Sequence, residues 1–139
     1  MDYVVDANVL ISMLITGKAS YYTLTKFFRF YTPTYALHEL DEYQSVIFEK
    51  SRLQADEIRS FAQRLFPHLR IIPSLAIDPD NQQRAEKLTQ NVDPKDQAYI
   101  ALTLQTNAVL LSRDKVLVGG VRKNGFRQAV MFDQFLREL

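Results

Sequence analysis

Short apolar runs and helical segments alternate along the whole of this 139-residue chain. Tyr3-Val4-Val5 predicts a strand at about 2–6, and Arg29 to Thr32, closed by Pro33, predicts a second. Leu69 to Ile72 before Pro73, Ala108 to Ser112, and Gln128 to Met131 predict three more. Between them, helices are expected at 8–15 (ending near Gly17), 18–29, 34–50 and 54–66, with a closing helix at 133–139. The segment 34–50 carries Leu37, Leu40, Tyr43, Ile47 and Phe48, and the segment 54–66 carries Ile58, Phe61, Ala62 and Leu65, both at helical spacing. Asp78-Pro79 and Asp93-Pro94 each read as a helix start, with Asp as N-cap and Pro at the first helical position. This alternation predicts an α/β fold: one domain with a mostly parallel sheet of about five strands, covered on both faces.

Composition narrows the chemistry. Hydrophobic residues make up 47% and charged residues 24%, which argues against a disordered or fibrous chain. There are no cysteines, so disulfides, thiolate metal sites and cysteine nucleophiles are excluded. A net charge of +1 does not by itself mark a nucleic-acid binder; local clustering must do that. No apolar stretch approaches the ~20 residues of a membrane span. Asp2 stands where a signal peptide has basic residues. The expectation is a cytoplasmic protein with no membrane partner.

Four acids fall at one end of the predicted elements. In a parallel sheet, ligands bind beyond the carboxyl ends of the strands. Asp6 ends the first strand, and Glu39 lies near the start of the helix after the second. Asp96 is in the first turn of the helix expected at 94–105, and Asp114 follows the strand at 108–112. That helix of about ten residues spans ~15 Å, and the returning strand spans ~17 Å, so both acids reach the same edge. Convergent carboxylates repel and raise each other's pKa unless a cation joins them. Oxygen ligands without Cys or His select hard divalent ions such as Mg²⁺ or Mn²⁺. Such an ion suits phosphodiester hydrolysis, since it activates water and neutralises developing charge.

Each acid also has an ordinary structural reading. Asp6 and Asp93 fit helix N-caps, Asp96 fits the helix dipole, and Asp114 fits a turn after a strand. Glu39 sits beside Asp41 and Glu42 in a charged, solvated stretch. Glu42 is three residues on, hence on nearly the same helix face, and competes with Glu39. Glu39 is preferred because it is nearer the helix start. Neither His38 nor His68 is expected to act in catalysis.

The chain resembles the PIN-domain family of metal-dependent nucleases, which includes the toxins of VapBC-type toxin–antitoxin pairs. The resemblance is carried by Val4-Val5-Asp6-Ala7-Asn8-Val9-Leu10 and by Glu39 in Ala36-Leu37-His38-Glu39-Leu40. It continues in Asp93-Pro94-Lys95-Asp96-Gln97-Ala98-Tyr99-Ile100-Ala101-Leu102 and Leu110-Leu111-Ser112-Arg113-Asp114. It implies a three-layer α/β/α PIN-like domain over residues 1–139. It also implies one or two Mg²⁺ or Mn²⁺ ions held by Asp6, Glu39, Asp96 and Asp114, and hydrolysis of single-stranded RNA. Asn8 and Ser112 match polar positions that orient ligands or acids, and Asp93 is a further contributor. A homodimer and an antitoxin partner are implied as well.

Lys95, Arg113 and Lys115 flank the acids, and Arg122 and Lys123 add a basic stretch, so these five are expected to contact RNA phosphates. The aromatic residues between Tyr21 and Tyr31 fit core packing or a subunit interface better than base stacking. Two other readings stand beside this one. A non-catalytic PIN-like domain would bind RNA or protein without cleaving it. Asp6-Ala7-Asn8-Val9 also resembles the opening of aspartate-nucleophile phosphatases, but Asn8 cannot serve as their second, acidic residue.

Overall fold

The computed structural model describes all residues, Met1–Leu139. Five strands form one sheet: β1 (Asp2–Val5), β2 (Arg29–Pro33), β3 (Leu69–Ile72), β4 (Val109–Ser112) and β5 (Ala129–Met131). Their order is β3-β2-β1-β4-β5, and every pairing is parallel. The sheet is therefore wholly parallel rather than mostly so. β1 lies at its centre, with Val4 opposite Tyr31 of β2 and Leu110 of β4. Val4 and Val5 are buried.

Nine α-helices connect and flank the strands. They are α1 (Ala7–Thr16), α2 (Ala19–Phe27), α3 (Thr34–Glu42), α4 (Gln44–Lys50) and α5 (Ala55–Leu65). After β3 come α6 (Pro79–Leu88), α7 (Gln97–Thr106), α8 (Lys115–Lys123) and α9 (Phe132–Arg137). Parallel strands require crossovers, and right-handed crossovers place helices on both faces. The helices α1 to α5 belong to the steps that run outward from β1 to β3. The helices α6 to α8 belong to the steps that return past β1 to β5. The three-layer α/β/α architecture follows. None of these helices is long and apolar enough to cross a membrane.

The reversal of direction at β1 creates a crevice between the carboxyl ends of β1 and β4. This is the topological switch point at which open parallel sheets bind ligands. The helix over it, α7, packs against β1, β2 and β4. Its residues Tyr99, Ile100, Ala101, Leu102 and Thr103 are all buried.

Local structure departs from the sequence pattern in three places. The segment 34–50 is two helices, because Tyr43 leaves the helical region (φ −97°, ψ 9°) and serves as C-cap of α3 and N-cap of α4. At Asp93-Pro94 a 3-10 turn over Pro94–Asp96 precedes α7, so Asp96 is the N-cap residue of the α-helix proper. The sequence reading places no element between Asp114 and Gln128, yet α8 fills Lys115–Lys123. Gly119 and Gly120 lower its intrinsic propensity. Tertiary burial of Leu117, Val118 and Val121 against the sheet overrides them. A Cβ on Gly120 would lie 2.5 Å from Val92 Cγ2, so the glycine lets α8 close on that side chain.

The aromatic segment mostly packs inward. Tyr21 and Phe30 are buried, and Phe28 stacks edge-on with Tyr3 and Phe135, whereas Phe27 is 72% exposed. Helix α1 stops at Gly17, whose φ of 57° is left-handed and whose N–H donates to Met13 O at 2.8 Å. A Cβ there would meet Leu53 Cδ1 at 2.6 Å. Gly17→Ala is therefore expected to cost about 1–2 kcal/mol. A thermal melt will show this as a Tm lowered by several degrees, and an unchanged Tm contradicts it.

Candidate active site

Asp6 enters the crevice directly from β1. Its backbone N–H donates to Leu111 O of β4 at 3.4 Å, which extends the ladder by one residue. Its carboxylate Oδ1 accepts from Val9 N–H at 3.0 Å and caps α1. Its Oδ2 accepts a short hydrogen bond from the Ser112 hydroxyl at the end of β4. Ser112 Oγ in turn accepts from Asp114 N–H at 3.0 Å. One buried serine thus ties the first acid to the loop that carries the last. Asp6 is 3% exposed, and burial is the main reason its pKa rises to about 6. The hydrogen bonds from Ser112 and Val9 oppose that rise, while Asp114 and Glu39 add to it.

Asp96 is half-buried at the start of α7, and its carboxylate accepts no hydrogen bond. Desolvation lifts its pKa to about 7, and Asp114, Asp93, Asp6 and Glu39 each push it further in the same direction. Asp114 caps α8 through Oδ1, which accepts from Val116 N–H at 2.9 Å and Leu117 N–H at 3.2 Å. Glu39 reaches the same place from α3 and accepts a short hydrogen bond from the Tyr99 hydroxyl.

The structure therefore brings Asp6, Glu39, Asp96 and Asp114 within electrostatic range of one another, on the edge predicted for them. The ion pairs of the molecule join Arg29 to Asp2 and His38 to Glu42, so no lysine or arginine lies within 4.0 Å of the four acids. The convergence is looser than the sequence reading expects, however. No three Asp, Glu or His side chains are arranged to hold one metal ion. Asp6, Asp114 and Glu39 each accept hydrogen bonds from protein donors, whereas Asp96 accepts none.

The remaining candidates divide. Asp93 is exposed and caps the 3-10 turn, accepting from Lys95 N–H at 3.0 Å, while its charge acts on Asp96. Glu42 pairs with His38 Nε2 at 3.1 Å and faces solvent, whereas Glu39 is bonded into the crevice. Asn8 is exposed in the first turn of α1. Lys95 and Lys115 are exposed beside Asp96 and Asp114 in the chain, and Arg113 donates to Ser12 of α1. Arg122 and Lys123 stand apart from Asp114 along α8. They occupy the last turn of α8, ~12 Å along the helix from its start, and Arg122 Nε donates to Ala129 O at 3.0 Å.

The sequence reading misses Tyr99. Its hydroxyl donates to Glu39 and accepts from Ala7 N–H at 3.3 Å, bridging α3, α7 and the start of α1. Burial chiefly, then the Glu39 hydrogen bond, raises its pKa, so it remains a donor. The available signal is its place three residues after Asp96, on the same helix face. Surrounded by apolar residues, it reads as core. Tyr99→Phe leaves the Ala7 N–H and Glu39 without this partner and is expected to cost about 1–3 kcal/mol. A Tm equal to the parent's contradicts this.

The PIN-domain family model matches residues 4–131. The chain belongs to the PIN-domain family. Among curated proteins, no sequence matches this PIN domain significantly. Among solved structures, the fold is similar to PAE2754 from Pyrobaculum aerophilum, with a TM-score of 0.69 and 16% identity, over 99% of this chain and 88% of that one. It is also similar to VapBC2 from Rickettsia felis, solved bound to a DNA fragment from their promoter. There the TM-score is 0.63 and the identity 16%, over 94% of this chain and 97% of the other. At these identities the likeness concerns the fold.

Proposed function

We propose that this PIN domain is a divalent-metal-dependent ribonuclease that hydrolyses phosphodiester bonds of single-stranded RNA. The observation that carries the reading is the set of four carboxylates at the switch point of the sheet, unpaired with any lysine or arginine, with Asp114 and Glu39 acting on both Asp6 and Asp96. The donors fit Mg²⁺ or Mn²⁺. All are oxygens, the charge is strongly negative, and Asp96 has no competing hydrogen bond. Asp6, Asp96, Glu39 and Asp114 are the residues that would hold the ion. When bound, it would neutralise the phosphate and activate water for attack at phosphorus.

The chain's own groups do the positioning. Ser112 and Val9 N–H fix the orientation of Asp6, and Tyr99 fixes that of Glu39. Lys95, Arg113 and Lys115 carry positive charge at the rim and hold the RNA backbone by its phosphates. The likeness to VapBC2 supports a toxin role with an antitoxin partner; a cytoplasmic homodimer is part of the same proposal.

Short single-stranded RNA incubated with Mn²⁺ should be cleaved, and EDTA should stop the cleavage. A second reading, a PIN-like domain that binds RNA or protein without cutting, is favoured by the absence of a preformed three-ligand set. RNA that is bound yet intact in both Mn²⁺ and Mg²⁺ would establish the second reading over the first.

A further inference from the structure

A cleft of about 490 Å³ opens beside the acidic edge, lined by Tyr35, Ile77, Gln82, Lys95, Gln97 and Ala98 among others. We propose that this cleft receives the nucleobase of the nucleotide adjoining the scissile phosphate, and favours bases with an exocyclic amino group over uracil. The position relative to a scissile phosphate rests on the nuclease reading; the base site itself rests on the cleft.

Its size is that of a small-ligand pocket. Two of its lining residues stand near the acids along the chain. Lys95 immediately precedes Asp96, and Tyr35 lies four residues before Glu39 on α3, hence on the same face. The Tyr35 ring centroid is 6.2 Å from that of Tyr99, which holds Glu39. The space exists because α7 presents the small side chains Ala98 and Ala101 here. Single-stranded RNA splays its bases onto aromatic rings, and Tyr35 supplies a partly exposed one. Lys95 is the one charged residue of the lining, which suits a phosphate at the mouth.

The preference comes from two fixed amides. Gln82 Nε2 donates to Ser74 O at 3.3 Å and Ile77 O at 3.2 Å. Gln97 Nε2 donates to Gln82 O at 3.4 Å. Backbone carbonyls only accept, so each amide must turn its NH₂ group toward them. Both Oε1 atoms are left as acceptors with no protein donor. Both residues line the cleft, and a pair of acceptors there would match the amino group of cytosine, adenine or guanine. Uracil has a single ring N–H and no amino group.

The test is an NMR titration of the intact protein with CMP, AMP, GMP and UMP in EDTA, alongside the RNA cleavage assay. Expected are shifts at Tyr35, Gln82 and Gln97, with CMP bound about fivefold tighter than UMP. Gln97→Met should erase most of that difference. Ala98→Leu should fill the cleft and abolish binding while the spectrum stays that of a folded chain. Should Ala98→Leu fail to fold, Gln97→Met alone decides. The proposal is overturned if UMP binds as tightly as CMP, if shifts map elsewhere, or if no mononucleotide binds at millimolar concentration. Cleavage without base-dependent binding removes the cleft and leaves the nuclease. Base-dependent binding without cleavage keeps the base site and removes the nuclease.

Discussion

Asp96→Asn is expected to abolish metal-dependent RNA cleavage while leaving the protein at least as stable as the parent. Asp96 is the acid with no hydrogen bond of its own and with four other carboxylates raising its pKa. Nothing in the protein satisfies its charge, so it is the group most available to a cation. Outer residues that merely support a metal site cost about 10–100-fold when changed. Loss of Asp96 should cost at least about 100-fold in cleavage rate on the same scale. Asn keeps the shape and removes the repulsion, so Tm should hold or rise. Loss of activity accompanied by loss of fold would instead mark Asp96 as structural. A variant that cuts RNA at the parental rate refutes the site. Asp6→Asn should behave alike in activity, because Asn also caps helices well.

In EDTA, thermal stability should fall as pH rises from about 5 to about 8, and Mn²⁺ should restore it. The sign follows from the two raised carboxyls. Asp6 and Asp96 are pushed up to about 6 and about 7 in the folded chain, against 3.8 for a free aspartate. The unfolded chain gives up these protons first, at about pH 4. Above that pH the folded state binds more protons than the unfolded state, so raising the pH favours unfolding. The loss is complete once the pH exceeds both folded values. For buried Asp6, the rise from 3.8 to about 6 corresponds to about 3 kcal/mol. Asp96 adds less than its shift implies, since solvent screens a half-exposed group. A drop of about 5 °C or more in Tm is expected between pH 5 and pH 8. A divalent ion binds the charged forms, so millimolar Mn²⁺ should raise Tm chiefly at the higher pH. Asp6→Asn/Asp96→Asn should flatten both dependences. A parental Tm that ignores pH and Mn²⁺ alike contradicts the coupled carboxylates.

Much of this was legible in the residues because it is local. The strand at Tyr3-Val4-Val5, the Gly17 stop and the Pro79 start are decided by side-chain type over a few positions. Even there the partners differed. Asp78 was expected to cap α6, but its side chain makes no cap bond and instead accepts from Gln105 Nε2 at 3.3 Å. Asp93, with the same Asp-Pro start, does cap. The break at Tyr43 and the glycine-containing helix α8 were not legible, since both depend on what packs against them.

The sequence by itself determined which elements alternate, and so which ends of them carry Asp6, Glu39, Asp96 and Asp114. Strand periodicity and helix starts act within a turn or two, and that range suffices to put each acid at an element's end. Only the tertiary structure decided how those acids are held. Ser112 meets Asp6 across 106 residues of chain, Tyr99 meets Glu39 across 60, and burial in the crevice under α7 raises the pKa values of Asp6 and Asp96. Such contacts depend on how distant segments are brought together, and burial of a charge depends on every neighbour at once. No short window of residues contains either.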